Sequence, residues 1–383
     1  MVGKQCFYGC GFIRFIKRID GIAIEFCYGI HKSSDHQEIA ITQHTKEILL
    51  KKGHIRRYSL PLKGPLGMVN VYTVIGEDQF WLIDAGLRVP EHKAKIQTLI
   101  EEQRNKGYSL KGLIISHHHP DHVGWGDWIT EQYDCPIYMA PAEYKALQTL
   151  SNANHNDFYE TARTHYKRHG FAAAQIELMM KYLIRSQPLF PTLSDQPHPL
   201  INKEKLKIAE NIFDIIYIRG HAPAHPCFYH KESNTLIAID AILQKITPNI
   251  SVWPDRPDED PLSRFKADLK DIAEIIDDDT LILPGHGEPF RGGRTRVHDI
   301  LKHHIRREKK LIEILHDKGP LPVADFVRQI YKRPFAQSDW VFGTGEALAH
   351  ANHLYSRGSI QKIKDPGIKD PENDRILFSY PGP

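Results

Sequence analysis

The chain has 383 residues, 25% of them charged and 41% hydrophobic, and 50 Lys and Arg against 47 Asp and Glu leave a net charge of +3. That length allows one large domain plus a smaller one, and so mild a charge gives no ground for a nucleic-acid or membrane-surface protein. No apolar run approaches the roughly 18 residues needed to span a bilayer, so no membrane partner is expected.

The N-terminal stretch MVGKQCFYGCGFIRFIKRID is broken by Lys and Arg and makes a poor signal peptide. The five cysteines, Cys6, Cys10, Cys27, Cys135 and Cys227, are odd in number and scattered, which fits reduced thiols and a cytoplasmic location. Residues 1–53 read as an N-terminal extension, in which TKEILLKKG (Thr45–Gly53) is expected to be a short helix stopped by Gly53. From residue 54 the runs IRRYSLPL, MVNVYTVI and FWLID are short, β-branched and separated by turn residues, as strands are. PEHKAKIQTLIEEQRNKG follows as a helix, then the strand GLIIS. Residues 141–199 form a helical insertion, and LKIAE, IFDIIYI, TLIAI and TLILP resume the strands. Two groups of strands interleaved with helices predict a layered α/β body over residues 54–300.

After His298 the pattern is helical. DILKHHIRREKKLIEILHDKG carries an apolar stripe through Leu301, Ile305, Ile312 and Leu315. PVADFVRQIYKR has a clean face through Val323, Phe326, Val327, Ile330 and Tyr331. TGEALAHANHLYSRG is expected to start at a Thr344 cap and stop at Gly358. With the short strand SIQKI these make a small winged-helix-like domain over 301–365, and 366–383 reads as a loosely held tail.

The 23 histidines are the compositional outlier. GLIISHHHPDHVGWGDW (Gly112–Trp128) sets a group of them beside Asp121, directly after an apolar strand. His117, His119, Asp121 and His122 are the candidate ligands. Short alternating spacing on a loop lets imidazoles converge on one cation while the following Asp-His pair faces a second. His118, between two of them, should point the other way. A surface histidine run is the plainer alternative, and local sequence leaves it open. Elsewhere FWLI leads to Asp84, IIYIRG to His221, TLIAI to Asp240 and LILPG to His286. Ligands collect at strand ends along one edge of a layered α/β body, so these strand-end residues are the expected partners of the cluster.

In that order the residues resemble the metallo-β-lactamase superfamily over about residues 55–300. LPLKGPLGMVNVYTVI, HHHPDHVGWGDWI, SVWPDRPDEDPL and LPGHGEPFRG are most similar to the bacterial branch grouped with hydroxyacylglutathione hydrolases. The resemblance implies a four-layer αββα sandwich with a small C-terminal helical, winged-helix-like domain, and two divalent metal ions. It assigns His117, His119 and His221 to one ion, Asp121, His122 and His286 to the other, and Asp240 to a bridge. Asp84 would orient the loop, and His225 in GHAPAH would stand beside the ligands or face substrate. The chain departs from the pattern at Ala222, Ala224 and Ile239, where Thr or Ser, Gly and Gly are common. Asp240 stands where one β-lactamase subclass has a Cys ligand, and the segment around His286 is unlike glutathione-recognising enzymes. Neither an antibiotic nor glutathione is expected as substrate.

Imidazole and carboxylate ligands suit zinc, with iron or manganese feasible at the more oxygen-rich position. Two such ions keep a residual positive charge against Asp121, Asp240 and one bridging hydroxide, favouring a developing oxyanion. They supply hydroxide at neutral pH, oriented by Asp121 and Asp240, without a Ser or Cys nucleophile. The expected activity is hydrolysis of a small thioester, ester or lactone, and the alternative is an endoribonuclease-like cut of phosphodiesters. Nucleic acid is disfavoured as a partner because HHIRREKK (His303–Lys310) is interleaved with Asp299, Glu308 and Glu313. The C-terminal helices could instead serve a homodimer or cover the core. Tyr159, His165, Tyr166 and His169 are either substrate-facing or a helix packing face, and Trp253 is expected to wall the pocket.

Overall fold

The computed structural model describes residues 12–19, 22–29, 47–50, 52–151, 156–330, 337–367 and 374–381. Cys6, Cys10 and Tyr331 lie outside them. The chain divides into two units, Met1–Thr45 and Lys46–Pro383. In the first, β1 (Phe12–Ile19) and β2 (Ile22–Gly29) pair as an antiparallel hairpin.

The second unit opens with β3 (Glu47–Leu49), β4 (His54–Pro61), β5 (Met68–Ile75) and β6 (Gln79–Ile83). Next come α1 (Pro90–Asn105), β7 (Ser109–Ile115), α2 (Pro120–Val123), α3 (Gly126–Tyr133) and β8 (Ile137–Met139). The insertion holds α4 (Pro141–Ser151), α5 (Asn156–Arg168) and α6 (Ala173–Ser186), followed by β9 (His198–Pro199). β10 (Lys205–Ile208), β11 (Asn211–Ile218), β12 (His225–His230), β13 (Thr235–Ile239), α7 (Pro261–Ile275) and β14 (Leu281–Pro284) complete the strands of the body. α8 (Gly293–Lys318), α9 (Val323–Ile330), α10 (Gln337–Ser356), β15 (Gln361–Lys364) and β16 (Ile376–Ser379) end the chain.

β3 to β9 form one sheet in sequence order, and β10 to β14 form a second. The pairs β6–β7, β7–β8, β8–β9 and β13–β14 are parallel, and helices supply the crossovers that parallel pairing requires. Strict alternation then sorts the side chains. In β6, Phe80 and Leu82 face one cluster while Trp81 and Ile83 face another, and Leu113 and Ile115 split from Ile114 in β7 in the same way. The shared cluster between the sheets also takes Phe213, Phe228, Ile237 and Leu283. On the outer face of the second sheet, Leu236, Ala238 and Ile282 pack with Leu269, Ile300 and Leu348 of α7, α8 and α10. The result is a helix–sheet–sheet–helix stack, in which strands buried on both faces read as unbroken apolar runs.

Several expectations are corrected. Thr45–Gly53 holds no helix among its described residues. Ile48 is buried between exposed Glu47 and Leu49, and the segment pairs with β4 through a turn at Gly53, whose φ is +86°. Of the expected stripe on α8, Leu315 is buried and Leu301 and Ile312 pack against the core, but Ile305 is exposed, and Val297, Ile300, His304 and Leu311 face inward as well. α8 also runs without a break through the expected boundary at residue 300. Thr344 is no cap: α10 begins at Gln337 and buries Thr344 inside it, though the stop at Gly358 (φ +70°) holds. The tail is not loose at Ile376–Ser379, because β16 pairs with β15 and Phe378 is fully buried.

Candidate metal centre

The candidate ligands follow the ends of β7, β11, β13 and β14, and Asp84 follows β6, strand ends that the sheet order brings to one edge. The structure gathers all seven. His117, His119 and His221 offer ligand atoms within 4.8 Å of one another, as do His117, His122 and Asp240, and Asp121, His122 and His286. Asp240 Oδ2 lies 3.5 Å from His122 Nε2, 3.6 Å from His221 Nε2 and 3.2 Å from His286 Nε2. Asp121 Oδ2 is 3.5 Å from His286 Nε2. One carboxylate thus sits between both groups of imidazoles.

The far side of each ring explains its orientation. His122 Nδ1 donates to Asp84 at 2.8 Å, His221 Nδ1 to the Asn249 carbonyl at 2.8 Å and His286 Nδ1 to the Met68 carbonyl at 2.6 Å. Asp84 takes the Ser116 amide on one oxygen and the Ser116 hydroxyl on the other. That hydroxyl, having given its proton to Asp84, accepts from His117 Nδ1 at 3.0 Å. In each case the outward nitrogen is engaged and Nε2 is the atom that faces the cluster. Asp84 is therefore an orienting group, with both oxygens engaged away from the centre.

His117 Nε2, His122 Nε2, His221 Nε2 and Asp240 Oδ1 are buried without a hydrogen-bond partner. Leaving such atoms unsatisfied costs about 1–3 kcal/mol each, a penalty that cations at the centre would remove. The donor set fits divalent ions. Electrostatics divide the rings into two groups: His117 and His119 are held neutral, whereas the carboxylates, against burial, draw protons onto His122 and His286 that a cation would displace. Burial, then the charges of neighbouring histidines, hold His117 and His119 well below the usual imidazole range. Burial also opposes charge on His286, but Asp240 and Asp121 outweigh it and push it up to about 8. Asp240 would likewise rise through burial, yet His286 and His122 keep it well below the carboxylate range.

The backbone is shaped for this convergence. A Cβ on Gly285 would stand 2.1 Å from Asp240 Oδ1, so no side chain fits beside the carboxylate. Ile239 has φ +45° in the region that favours glycine, a strain of roughly 1–2 kcal/mol for an L-residue. This β-branched residue is fully buried between the sheets, so its packing offsets that strain.

The loops are braced from three directions. Asn70 Nδ2 donates to the carbonyls of Pro284 and Gly287, and the Tyr72 hydroxyl to Pro284, fixing the His286 loop to the first sheet. Asn249, which carries the His221 acceptor, donates to the Phe342 carbonyl of α10, and the Val252 amide bonds to the Gly345 carbonyl. Buried Glu143 accepts from His118 and from the Ala224 amide. His118 indeed turns away from the cluster. His225 is buried beside the ligands, its ring 4.7 Å from that of His117, and Nε2 accepts from the Asp240 amide at 3.3 Å.

Of the insertion residues, Tyr166 is buried within the cluster that covers the second sheet, and the His169 ring stacks on Phe378. They belong to a packing face, as does buried His165. Tyr182 of α6 packs against the same cluster, and its hydroxyl is pushed up to about 12 by burial and then by the charge of Asp121. Sequence reasoning missed Glu143: an acid in a helix's first turn is ordinary, so nothing local marks it.

Residues 64–318 match the metallo-beta-lactamase superfamily, and residues 310–369 match the metallo-beta-lactamase-like C-terminal domain. The chain belongs to the metallo-β-lactamase superfamily. It is 22% identical to "Probable metallo-hydrolase YqjP" of Bacillus subtilis over 314 residues, covering 79% of this chain and 92% of that one. The crystal structure of a beta-lactamase domain protein from Burkholderia ambifaria superposes with a TM-score of 0.74 at 25% identity, over 85% of this chain and 92% of that one. A stretch of 100 residues is 32% identical to Ribonuclease J 2 of Staphylococcus saprophyticus, covering 24% of this chain and 17% of that enzyme.

Proposed function

We propose that the chain is a binuclear metal-dependent hydrolase of a small thioester, ester or lactone. The observation that carries this reading is the Asp240 carboxylate set 3.2–3.6 Å from three imidazole nitrogens, each ring fixed from behind. His117, His119 and His221 would hold one ion, Asp121, His122 and His286 the other, and Asp240 would touch both. Zinc suits the three-imidazole position, and iron or manganese also suits the position with two carboxylates. Such ions lower the pKa of water to roughly 7 and polarise a carbonyl oxygen, which removes the need for a Ser or Cys nucleophile.

The chain's own groups supply the rest. Asp121 is the more open carboxylate, its side chain 19% exposed against 7% for Asp240, so it faces incoming water and substrate. Tyr182 stays protonated at neutral pH and is the candidate donor to an oxygen that gains negative charge near Asp121. Its ring lies 5.6 Å from that of Phe342, which in turn lies 6.4 Å from that of Trp253. Three aromatic rings favour a small, partly apolar acyl group.

Charge in the C-terminal region favours a small substrate over RNA. Lys266 pairs with Glu308, Lys310 with Glu313 and Lys362 with Asp258. The test is a panel of thioesters, lactones and RNA oligomers, with metal-loaded protein at low and high salt. Turnover of a small ester that changes little with salt is expected; RNA cleavage falling steeply with salt, with no ester turnover, would replace this reading with the nuclease. Trp253→Ala should change kcat/KM ratios within the panel while metal content stays at the parent level.

A further inference from the structure

Glu143 has no place in the ligand set, yet it is a fully buried carboxylate in the first turn of α4. Its Oε2 accepts the His118 amide at 3.2 Å and His118 Nδ1 at 2.6 Å, and its Oε1 accepts the Ala224 amide at 2.5 Å. His118 lies between His117 and His119, and Ala224 lies three residues after His221. One side chain therefore ties together the two loops that carry His117, His119 and His221. Burying a carboxylate is costly unless its lone pairs are taken, and here donors from both loops take them.

We propose that Glu143 is a positioning residue that fixes these two loops in register, so that the three imidazoles present themselves to one ion. The proposal rests on the metal reading above and adds the residue that sets its geometry. The chemistry is specific to a carboxylate. The Glu143→Gln side chain would keep nearly the same shape, but an amide offers one acceptor oxygen and a donor NH2. Whichever way it turned, the NH2 would confront the backbone N–H of His118 or of Ala224. One of the two backbone amides then loses its acceptor, with no cavity formed. Removal of the His118 ring differs, since both backbone amides keep their acceptors and the loops stay joined.

Titration of the metal-free full-length chain with Zn²⁺, in competition with a chromophoric chelator, should resolve two binding steps. Glu143→Gln should weaken one step roughly ten- to a hundredfold, as loss of a group that orients ligands does, and the other far less. His118→Ala should weaken that step less than Glu143→Gln does, because both backbone amides keep their acceptors. Unchanged steps in Glu143→Gln, or equal losses in the two variants, would overturn the proposal. Amide exchange on the unmodified chain needs no variant to fold: the His118 and Ala224 amides should be protected together and gain protection together on Zn²⁺ addition. A freely exchanging Ala224 amide would also overturn it. A parent chain that takes up no Zn²⁺ would sink the metal reading itself, and the bridge would then stand or fall on protection of the two amides alone.

Discussion

His117, His119, Asp121 and His122 were legible because they sit on one short loop after an apolar strand, and His221, Asp240 and His286 because each follows a strand end. Their supports were not. Asn70, Glu143 and Asn249 lie far along the chain from the rings or loops they hold, and each is an ordinary polar residue until the fold brings it close. Gly285 was equally silent, since only the approach of Asp240 shows why that position lacks a side chain. Gly285→Ala should push the carboxylate off its place and remove at least one metal equivalent, with the fold kept. Elemental analysis beside a far-ultraviolet spectrum checks this; a full metal count in the variant would show that the loop yields.

Elements with strong periodicity or clear stops were readable, and those set by tertiary partners were not. Glu47–Leu49 looks helical in sequence and becomes a strand because β4 offers it an edge. β12 escaped notice because HPCFYH has His, Pro and Cys where a strand pattern shows branched apolar residues. α7 illustrates an end that chemistry fixes. Asp260 accepts the Ser263 amide as its cap, and also takes His353 Nδ1 and the Ser356 hydroxyl of α10. Burial would raise its pKa, but these donors hold it below the ordinary 3.8. A lowered folded pKa means the contribution is full above the unfolded value and is lost as pH falls through the folded one. Asp260→Ala should cost roughly 1–2 kcal/mol at pH 7. In urea unfolding the gap from the parent should close below the ordinary carboxylate range; a gap independent of pH would mean that packing, not the charge, carries the loss.

For the molecule as a whole, the layered α/β body was legible from alternating strand groups and helices, but the role of the C-terminal region was not. Phe326, Leu348 and Phe378 share one apolar cluster with Leu236 and Ile282 of the second sheet. The carbonyls of Phe342 and Gly345 in α10 brace the loop behind His221. Removal of residues 337–383 should therefore destabilise the body and lower metal uptake together. A truncated chain with the parent's unfolding midpoint and metal content would show the C-terminal region to be a separable module. The central claim, that seven side chains from distant strand ends surround a pair of cations, is tested most directly by counting them. Elemental analysis of metal-supplemented, desalted protein should find two equivalents per chain, at least one lost in His119→Ala and both weakened in Asp240→Ala. A parent chain without metal, or full counts in both variants, would contradict it.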